Sequence, residues 1–258
     1  MKHWRAALLF GAVLACHAQT QPMAQPEPRH SGFDFMGTAV QTMQRDDALN
    51  PAMLWVKQGE TLWHTPAGAS GKTCASCHGA VSSLRGVATR FPAFDADLQR
   101  PINLAQRINQ CRQNRQQAEP WRLESPDLLS LESFIALQSR GLPIAPPADA
   151  RLQSFVERGR ARYQQRLGQL DLSCAQCHDQ RWGQRLGGTV IPQAHPTGYP
   201  LYRLEWQGVG SLQRRLRNCL SGVRAQPWPY GATELVELEL YLAAQARGMT
   251  LESPAVRP

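Results

Sequence analysis

The chain has 258 residues, of which 42% are hydrophobic and 19% are charged, so neither a small disulfide-rich scaffold nor a disordered tail fits the composition. This length suits one large domain or two domains of about 100 residues each. Lysine and arginine together number 28 against 20 acidic residues, a formal net charge of +8, and almost all of the positive charge is arginine. A cationic surface attracts anions of any kind, from nucleic acid to a small oxyanion, and its sign alone does not choose among them.

The N-terminal residues 1–18 are predicted to be an export signal. Two basic residues precede an apolar run at 7–15, which is too short to span a bilayer. Two cleavage patterns compete: residues 13–16 resemble a lipoprotein box, which would leave a lipid anchor at Cys16, whereas ordinary cleavage would follow residue 18. Both place the mature protein outside the cytoplasm, in the periplasm, and no other segment is apolar enough to cross a membrane.

The residues after the signal are predicted to form an extended arm and then a series of helices. Residues 19–44 are rich in Gln, Pro and Met, which favours an extended arm. Helical sequence patterns predict helices at 52–63, 104–118, 128–139, 212–223 and 235–246. The third and fifth are amphipathic, and each closes with Arg-Gly, a cation in the last turn followed by a helix-stopping glycine. The loops 86–101 and 187–200 are long, which suits polypeptide that wraps a cofactor.

The two halves of the sequence are related by a tandem duplication. Three pairs of segments match, namely 74–78 with 174–178, 104–111 with 212–219 and 128–141 with 235–248. Prolines between 143 and 147 forbid a continuing helix and mark a linker between the halves. We therefore predict a mainly α fold with two domains, at 45–143 and 148–252.

Each half carries Cys-x-x-Cys-His, which is the attachment pattern of c-type haem. Two thiols one helical turn apart form thioethers with the vinyl groups, and the adjacent histidine turns its imidazole onto the iron. The residues concerned are Cys74, Cys77 and His78 in the first half and Cys174, Cys177 and His178 in the second. Zinc would need four such ligands clustered, and a redox Cys-x-x-Cys does not need the histidine. The sequence therefore predicts two covalently bound c-type haems.

The second axial ligand of each haem sets its redox potential and the access to its iron. Between residues 79 and 173 there is no Met, His or Lys, so Cys111 is the strong ligand in that stretch. In the second half His195 and Cys219 compete, and Cys219 is the repeat partner of Cys111. A residue repeated in both halves favours the same task in each, here a thiolate that holds the potential low. A Cys111–Cys219 disulfide or two inert buried thiols remain the alternatives, since export permits oxidation.

Arginines accompany both of these cysteines. Arg107 and Arg215 each precede their cysteine by four residues and therefore lie on the same helical face. For any one arginine, a solvated or haem-propionate role is as compatible as anion binding. Around Cys219 the density is higher, which indicates an anion site beside a sulfur ligand. The residues of this cluster are Arg214, Arg215, Arg217 and Arg224.

This combination of motifs resembles the dihaem form of the SoxA family. Each Cys-x-x-Cys-His is followed by Leu-x-x-Arg-x-x-x-Cys, and residues 50–60, upstream of the first motif, read Asn-Pro-Ala-Met-Leu-Trp-Val-Lys-Gln-Gly-Glu. The resemblance covers nearly all of the mature chain. It implies a tandem duplication of two class I cytochrome c-like domains with long haem-wrapping loops, and a heterodimer with the small c-type cytochrome SoxX.

The resemblance also implies an activity and the roles of individual residues. Family members are L-cysteine S-thiosulfotransferases, which couple thiosulfate to a cysteine of the SoxY subunit of the SoxYZ carrier and pass two electrons to c-type haems and a downstream cytochrome c. The implied axial ligands are His78 and Cys111 for the first haem and His178 and Cys219 for the second. Cys219 would be the catalytic sulfur, carried as a persulfide, and Arg215 would contact the substrate.

Two other functions remain open from the residues themselves. A dihaem protein that only carries electrons would be expected to place a methionine or histidine after each motif, and the first half offers neither. A dihaem peroxidase needs an open iron or an exchangeable ligand. Covalent haem and export argue against the nucleic-acid binding that the positive charge would otherwise allow.

Overall fold

The computed structural model describes Met1 and residues 28–258, and this part of the chain is mainly helical. The helices are α1 (Thr38–Arg45), α2 (Met53–His64), α3 (Ala75–His78), α4 (Leu104–Cys111), α5 (Pro126–Leu137), α6 (Gln153–Gln164), α7 (Cys174–His178), α8 (Leu212–Gly222) and α9 (Thr233–Gln245). The strands are β1 (Ala93–Asp95), β2 (Arg100–Ile102), β3 (Arg185–Leu186), β4 (Thr189–Val190), β5 (Leu201–Arg203), β6 (Gly208–Gly210) and β7 (Ala255–Arg257). None of these helices combines the length and the apolar composition that a membrane crossing needs. Apart from Met1, the predicted signal, including Cys16, lies outside the described residues.

Each half is built on a close crossing of two helices. α2 packs on α5 in the first half, and α6 packs on α9 in the second. A glycine allows the close approach in both halves. A Cβ on Gly59 would collide with the carbonyl oxygen of Ser130, and a Cβ on Gly159 would collide with that of Glu237. The duplication read from the sequence is therefore also a duplication of the helix packing.

The same helices hold the two Cys-x-x-Cys-His segments in place. The indole Nε1 of Trp63, on α2, donates to the carbonyl oxygen of Gly79, 3.1 Å away and directly after α3. At the equivalent place in the second half, the hydroxyl of Tyr163 donates to the carboxylate of Asp179 at 2.6 Å, directly after α7. Both aromatic side chains are almost fully buried, so each motif is tied to the core of its own half.

Part of the predicted extended arm at 19–44 is helical instead. α1 occupies the end of this region because Val40 and Met43 lie on one face of the helix and pack in a small core with Val256 of β7. Tertiary contact with the end of the chain therefore overrides the arm's Gln- and Pro-rich composition. Residues 19–27 of the arm lie outside the described part.

Short strands complete the fold of the second half. β5 pairs antiparallel with β6 and parallel with β7, so the sheet order is β6-β5-β7. β7 follows residue 252, where the sequence placed the end of the second domain. β1 and β2 form the corresponding antiparallel hairpin of the first half. Strands of three residues are too short to produce a period-two pattern that the sequence could reveal.

Three helices differ from their predicted form. α4 ends at Cys111 and continues as a π-helical turn, Arg112–Gln116, instead of reaching residue 118 as an α-helix. α5 and α9 are buried on most of their surface rather than on one face. They lie where the two halves meet, because α9 contacts β2 and α5 contacts β6. A cavity of about 100 Å³ at this junction is lined by Glu132 of α5 and Glu239 of α9, among other residues.

Candidate functional site

In the second half, α7 and α8 bring the predicted site residues together. Cys174 and Cys177 lie one turn apart on α7, which begins with a capping box at Ser173. His178 ends α7, and its Nδ1 donates to the carbonyl oxygen of Pro192 at 2.7 Å. Because Nδ1 is protonated and held in this way, Nε2 is the nitrogen left to serve as a ligand.

Cys219, on α8, is the group that faces His178. Burial would by itself raise the pKa of the Cys219 thiol, but the hydrogen-bonding contact with His178 and the charge of Arg215 together lower it below its usual range. The charge of Arg203, on β5, acts in the same direction. The surroundings of Cys219 therefore favour the thiolate.

Arg215 stands one turn before Cys219 on α8. Among the described residues, no oxygen accepts a hydrogen bond from this half-buried side chain. Tyr199 faces both Arg215 and Cys219, and burial raises the pKa of its hydroxyl, so the phenol is neutral. A half-buried cation that no carboxylate of the described residues holds by a hydrogen bond, next to a neutral donor, is suited to a small anion.

The first half holds equivalent residues in different surroundings. Cys74, Cys77 and Cys111 lie close enough for their charges to influence one another. Burial raises the pKa of the Cys111 thiol, and the positive charge of Arg107 offsets this only in part. His78 ends α3 and is exposed. The pKa values of the two repeated cysteines therefore shift in opposite directions. The surroundings of Cys111 favour the thiol, and those of Cys219 favour the thiolate.

Arg107, the repeat counterpart of Arg215, is paired. Its Nη2 lies 2.9 Å from Oδ2 of Asp95, a carboxylate whose side chain is only 3% exposed. Gln110 donates to the same oxygen at 3.0 Å. A buried carboxylate therefore already pairs with Arg107, whereas no carboxylate of the described residues forms a hydrogen bond with Arg215.

The arginine cluster predicted around the second cysteine is dispersed in the structure. The guanidinium of Arg214 stacks on the ring of Trp206 at 4.4 Å, and that of Arg217 stacks on Tyr230 at 4.4 Å. Two members of the cluster are therefore engaged in cation–π contacts with aromatic rings. Arg215 is the member whose charge acts on the cysteine.

The structure contradicts the disulfide alternative and distinguishes the two competing ligands of the second half, and sequence reasoning missed one residue. The disulfide alternative fails because Cys111 and Cys219 are both free. Of the two competing ligands, Cys219 is the one in hydrogen-bonding contact with His178, whereas Nδ1 of His195 lies 2.8 Å from the carbonyl oxygen of His30 in the N-terminal segment. The sequence analysis overlooked Arg203, although extending the match of 104–111 with 212–219 toward the N-terminus would have drawn attention to it.

The donor set of each half fits a c-type haem. Two free thiols on one helical turn offer the thioether positions, and a histidine with a further thiol offers two axial donors. In the second half, the carbonyl of Pro192 orients His178 as a proximal histidine requires. The surrounding side chains are apolar, as a macrocycle needs, and include Leu212, Leu216 and Trp228.

Comparison with known proteins agrees with this geometry. The model of the SoxA/TsdA cytochrome c domain matches residues 58–144 and 158–251. The chain is 36% identical to the L-cysteine S-thiosulfotransferase subunit SoxA of Pseudaminobacter salicylatoxidans, over 88% of this chain and 80% of that protein. It is also 36% identical to the SoxA subunit of Rhodovulum sulfidophilum, over 88% and 79%. The crystal structure of SoxXA from P. pantotrophus matches with a TM-score of 0.86 and 32% identity, covering 89% of this chain and 87% of that chain.

These matches decide the fold and the cofactor. The cytochrome c domain occurs twice, and each copy has a complete attachment motif, so the chain carries two covalent c-type haems. The mainly α, duplicated cytochrome c fold predicted from the sequence is confirmed. Because the family model matches both halves and the SoxA relatives cover most of the chain, the protein belongs to the SoxA family of c-type cytochromes.

Proposed function

We propose that the chain is the SoxA subunit of an L-cysteine S-thiosulfotransferase, an enzyme that joins thiosulfate to a cysteine of a carrier protein. SoxA relatives at 36% identity carry that activity in their names. The observation that carries the proposal is the pair formed by Cys219, whose thiolate is favoured, and the half-buried guanidinium of Arg215 one turn away, to which no oxygen of the described residues is hydrogen-bonded. Thiosulfate is a small dianion with a reactive outer sulfur, so its site needs a cation to hold it and a sulfur to meet it.

One set of residues would hold the haems, and another would bind the substrate. Cys74 and Cys77 would hold the first haem with axial ligands His78 and Cys111, and Cys174 and Cys177 would hold the second with His178 and Cys219. When bound, haem supplies an iron that accepts one electron at a time, at a potential that a thiolate ligand keeps low. Pro192 keeps the imidazole of His178 in the required orientation.

The overall reaction forms one sulfur–sulfur bond and releases two electrons. The carrier cysteine loses its proton, and its sulfur bonds to the outer sulfur of thiosulfate while two electrons leave to c-type cytochromes. Arg215 would hold the sulfonate oxygens by charge-assisted hydrogen bonds, and the neutral hydroxyl of Tyr199 can donate another. Cys219, which we propose is carried as a persulfide, would present its sulfur to the outer sulfur of the bound anion.

The partners follow from the electron count. Each haem iron takes one electron, so a second acceptor must lie within reach. The similar crystal structure is that of a SoxXA complex. We therefore propose a small c-type cytochrome of the SoxX kind as the partner, the SoxYZ carrier as the protein substrate, and a further cytochrome c as the downstream acceptor. The site of action would be the periplasm, with the protein either free or anchored by a lipid on Cys16.

A single substitution tests the proposed function. Cys219→Ala should abolish thiosulfate coupling by the purified complex while the protein keeps two covalent haems, as measured by intact mass and by turnover with a carrier thiol. Ser221→Ala, an exposed position on the same helix, is the control and should turn over normally. Undiminished coupling by Cys219→Ala would show that Cys219 is not the catalytic sulfur, and absence of coupling by the unmodified complex would leave the protein as a dihaem electron carrier. The intact mass of the unmodified protein also reports any added sulfur or lipid.

A further inference from the structure

The displacement of 108 residues that relates α4 to α8 also relates the hairpins that precede them. β1 pairs with β2, and β5 pairs with β6, in the same antiparallel register. Each hairpin leads directly into a helix N-cap, Asn103 in the first half and Ser211 in the second. Asp95 and Arg203 end β1 and β5, and each lies opposite the first residue of the returning strand. One duplicated position therefore holds a carboxylate in the first half and a guanidinium in the second.

In the first half, the carboxylate of Asp95 at this position disfavours the binding of an anion beside Cys111. Oδ2 of Asp95 accepts hydrogen bonds from Arg107 at 2.9 Å and from Gln110 at 3.0 Å. Its Oδ1 accepts from the backbone N–H groups of Asp97 and Leu98, at 3.1 and 2.8 Å. An incoming anion would meet the negative charge of a buried carboxylate with four hydrogen bonds, which is costly to displace.

In the second half, the same position adds positive charge. The side chain of Arg203 is 12% exposed, and its Nε lies 2.8 Å from Oε2 of Glu205. Glu205 is 61% exposed, and its pKa is lowered by the hydrogen bond from Arg203 and by the charges of Arg203, Arg215 and Arg214. Glu205 is therefore a carboxylate at the surface that faces the guanidinium groups of Arg203 and Arg215. An ion pair with one exposed partner is weaker than a fully buried one, so another anion can replace it.

We propose that Arg203 is a second substrate-binding residue, which forms with Arg215 a two-arginine clamp for a sulfur oxyanion of the thiosulfate type, and that Glu205 occupies the clamp until the anion replaces it. The inference rests on the proposed function, because it names further residues of the same site. In the first half, the equivalent residues Asp95 and Arg107 are in direct contact at 2.9 Å, so the duplicated hairpin and helix set Arg203 beside Arg215, one turn from Cys219, which places the clamp at the sulfur. The charge reversal at the duplicated position confines anion binding to the second half.

The test uses the dihaem protein in complex with its partner cytochrome and measures two properties. Calorimetric titration with thiosulfate gives the Kd without requiring turnover, and steady-state coupling gives KM and kcat separately. The variants are Arg203→Asp, which copies the first half, Arg203→Lys, which keeps the charge, and Glu205→Gln, which removes the competing carboxylate. Arg247→Asp is the matched control, because it makes the same change of charge at an exposed arginine after α9.

We expect Arg203→Asp to raise Kd and KM by about 10- to 100-fold, the effect of losing charged hydrogen bonds, with a much smaller change in kcat. Arg203→Lys should restore most of the binding. Glu205→Gln should lower Kd and KM by about two- to fivefold, because an exposed ion pair no longer competes. Arg247→Asp should leave both constants unchanged.

Equal thiosulfate binding by Arg203→Asp and Arg247→Asp would overturn the clamp, as would weaker binding by Glu205→Gln. If Arg203→Asp does not assemble with two haems, Arg203→Gln replaces it with the same expected direction. The outcome separates the clamp from the proposed function. Unmodified protein that binds thiosulfate but never couples it would refute the function alone, whereas normal coupling with an unaffected Arg203→Asp would refute the clamp alone.

Discussion

Two carboxyl groups are buried near each other where the two halves meet. Glu132 on α5 and Glu239 on α9 occupy equivalent positions of the duplication and line one cavity. Burial, together with the charges of Glu239 and Glu124, raises the pKa of Glu132 to about 8. Burial also raises the pKa of Glu239 to about 7, although the amides of Asn103 and Gln213 donate to it at 3.0 and 3.2 Å. We therefore expect the stability of the protein to fall as the pH rises through the neutral range.

The sign and size of this effect follow from the proton count. An acid whose pKa is raised by folding keeps a proton that the unfolded chain has already released, so raising the pH favours unfolding. For Glu132 this holds from its ordinary pKa of 4.5 up to its folded pKa of about 8. Each pH unit within that window is worth about 1.4 kcal/mol. Between pH 5.5 and 8 the loss from this one carboxyl is roughly 3 kcal/mol in the free energy of unfolding.

Glu132→Gln removes the titrating group while it keeps the shape of the side chain. The free energy of unfolding of the variant, relative to the unmodified protein, should therefore rise by roughly 3 kcal/mol between pH 5.5 and pH 8. The assay is guanidinium chloride denaturation of the dihaem protein, followed by far-UV circular dichroism at several pH values. Glu119→Gln, at an exposed glutamate, is the control and should show no such trend. A difference between Glu132→Gln and the unmodified protein that stays constant with pH would refute this reasoning.

Two further changes test the packing that holds the second site. Gly159→Ala should lower the free energy of unfolding by about 3 kcal/mol, because its Cβ would press on the backbone carbonyl of Glu237, while Gly222→Ala, with nothing within 4 Å, should cost far less in the same denaturation experiment. Tyr163→Phe should cost about 1.5 to 3 kcal/mol through the lost hydrogen bond to the carboxylate of Asp179, as measured by the denaturation midpoint; an unchanged midpoint would show that this bond does not stabilise the second half.

The features that the sequence predicted correctly are those encoded within one or two helical turns. The spacing of Cys174, Cys177 and His178 defines a haem-attachment motif without any distant contact, because the three residues lie on a single short helix. The duplication is visible for a similar reason, since matching segments recur at nearly constant displacement. The five predicted helices all exist, with ends that shift by a few residues except for α4, which stops at Cys111.

Burial at the junction of the halves could not be predicted from the pattern of one helix. α5 and α9 look amphipathic when each is considered alone, yet both are covered on most sides because each also contacts the other half. The same contacts bury Glu132 and Glu239, residues that a surface helix would expose to water. α1 likewise forms against β7, which lies about 200 residues further along the chain.

The sequence by itself determined which residues can carry haem and that the chain is one unit repeated, because these depend on local spacing. Only the tertiary structure decided which of the two repeated arginines is paired with a buried carboxylate. Arg107 and Arg215 occupy the same place in the repeat, but the hairpin before each helix brings Asp95 to the first and Arg203 to the second. The physical reason is that the electrostatic environment of a side chain depends on every charge nearby in space, and these charges come from residues that are separate in the sequence.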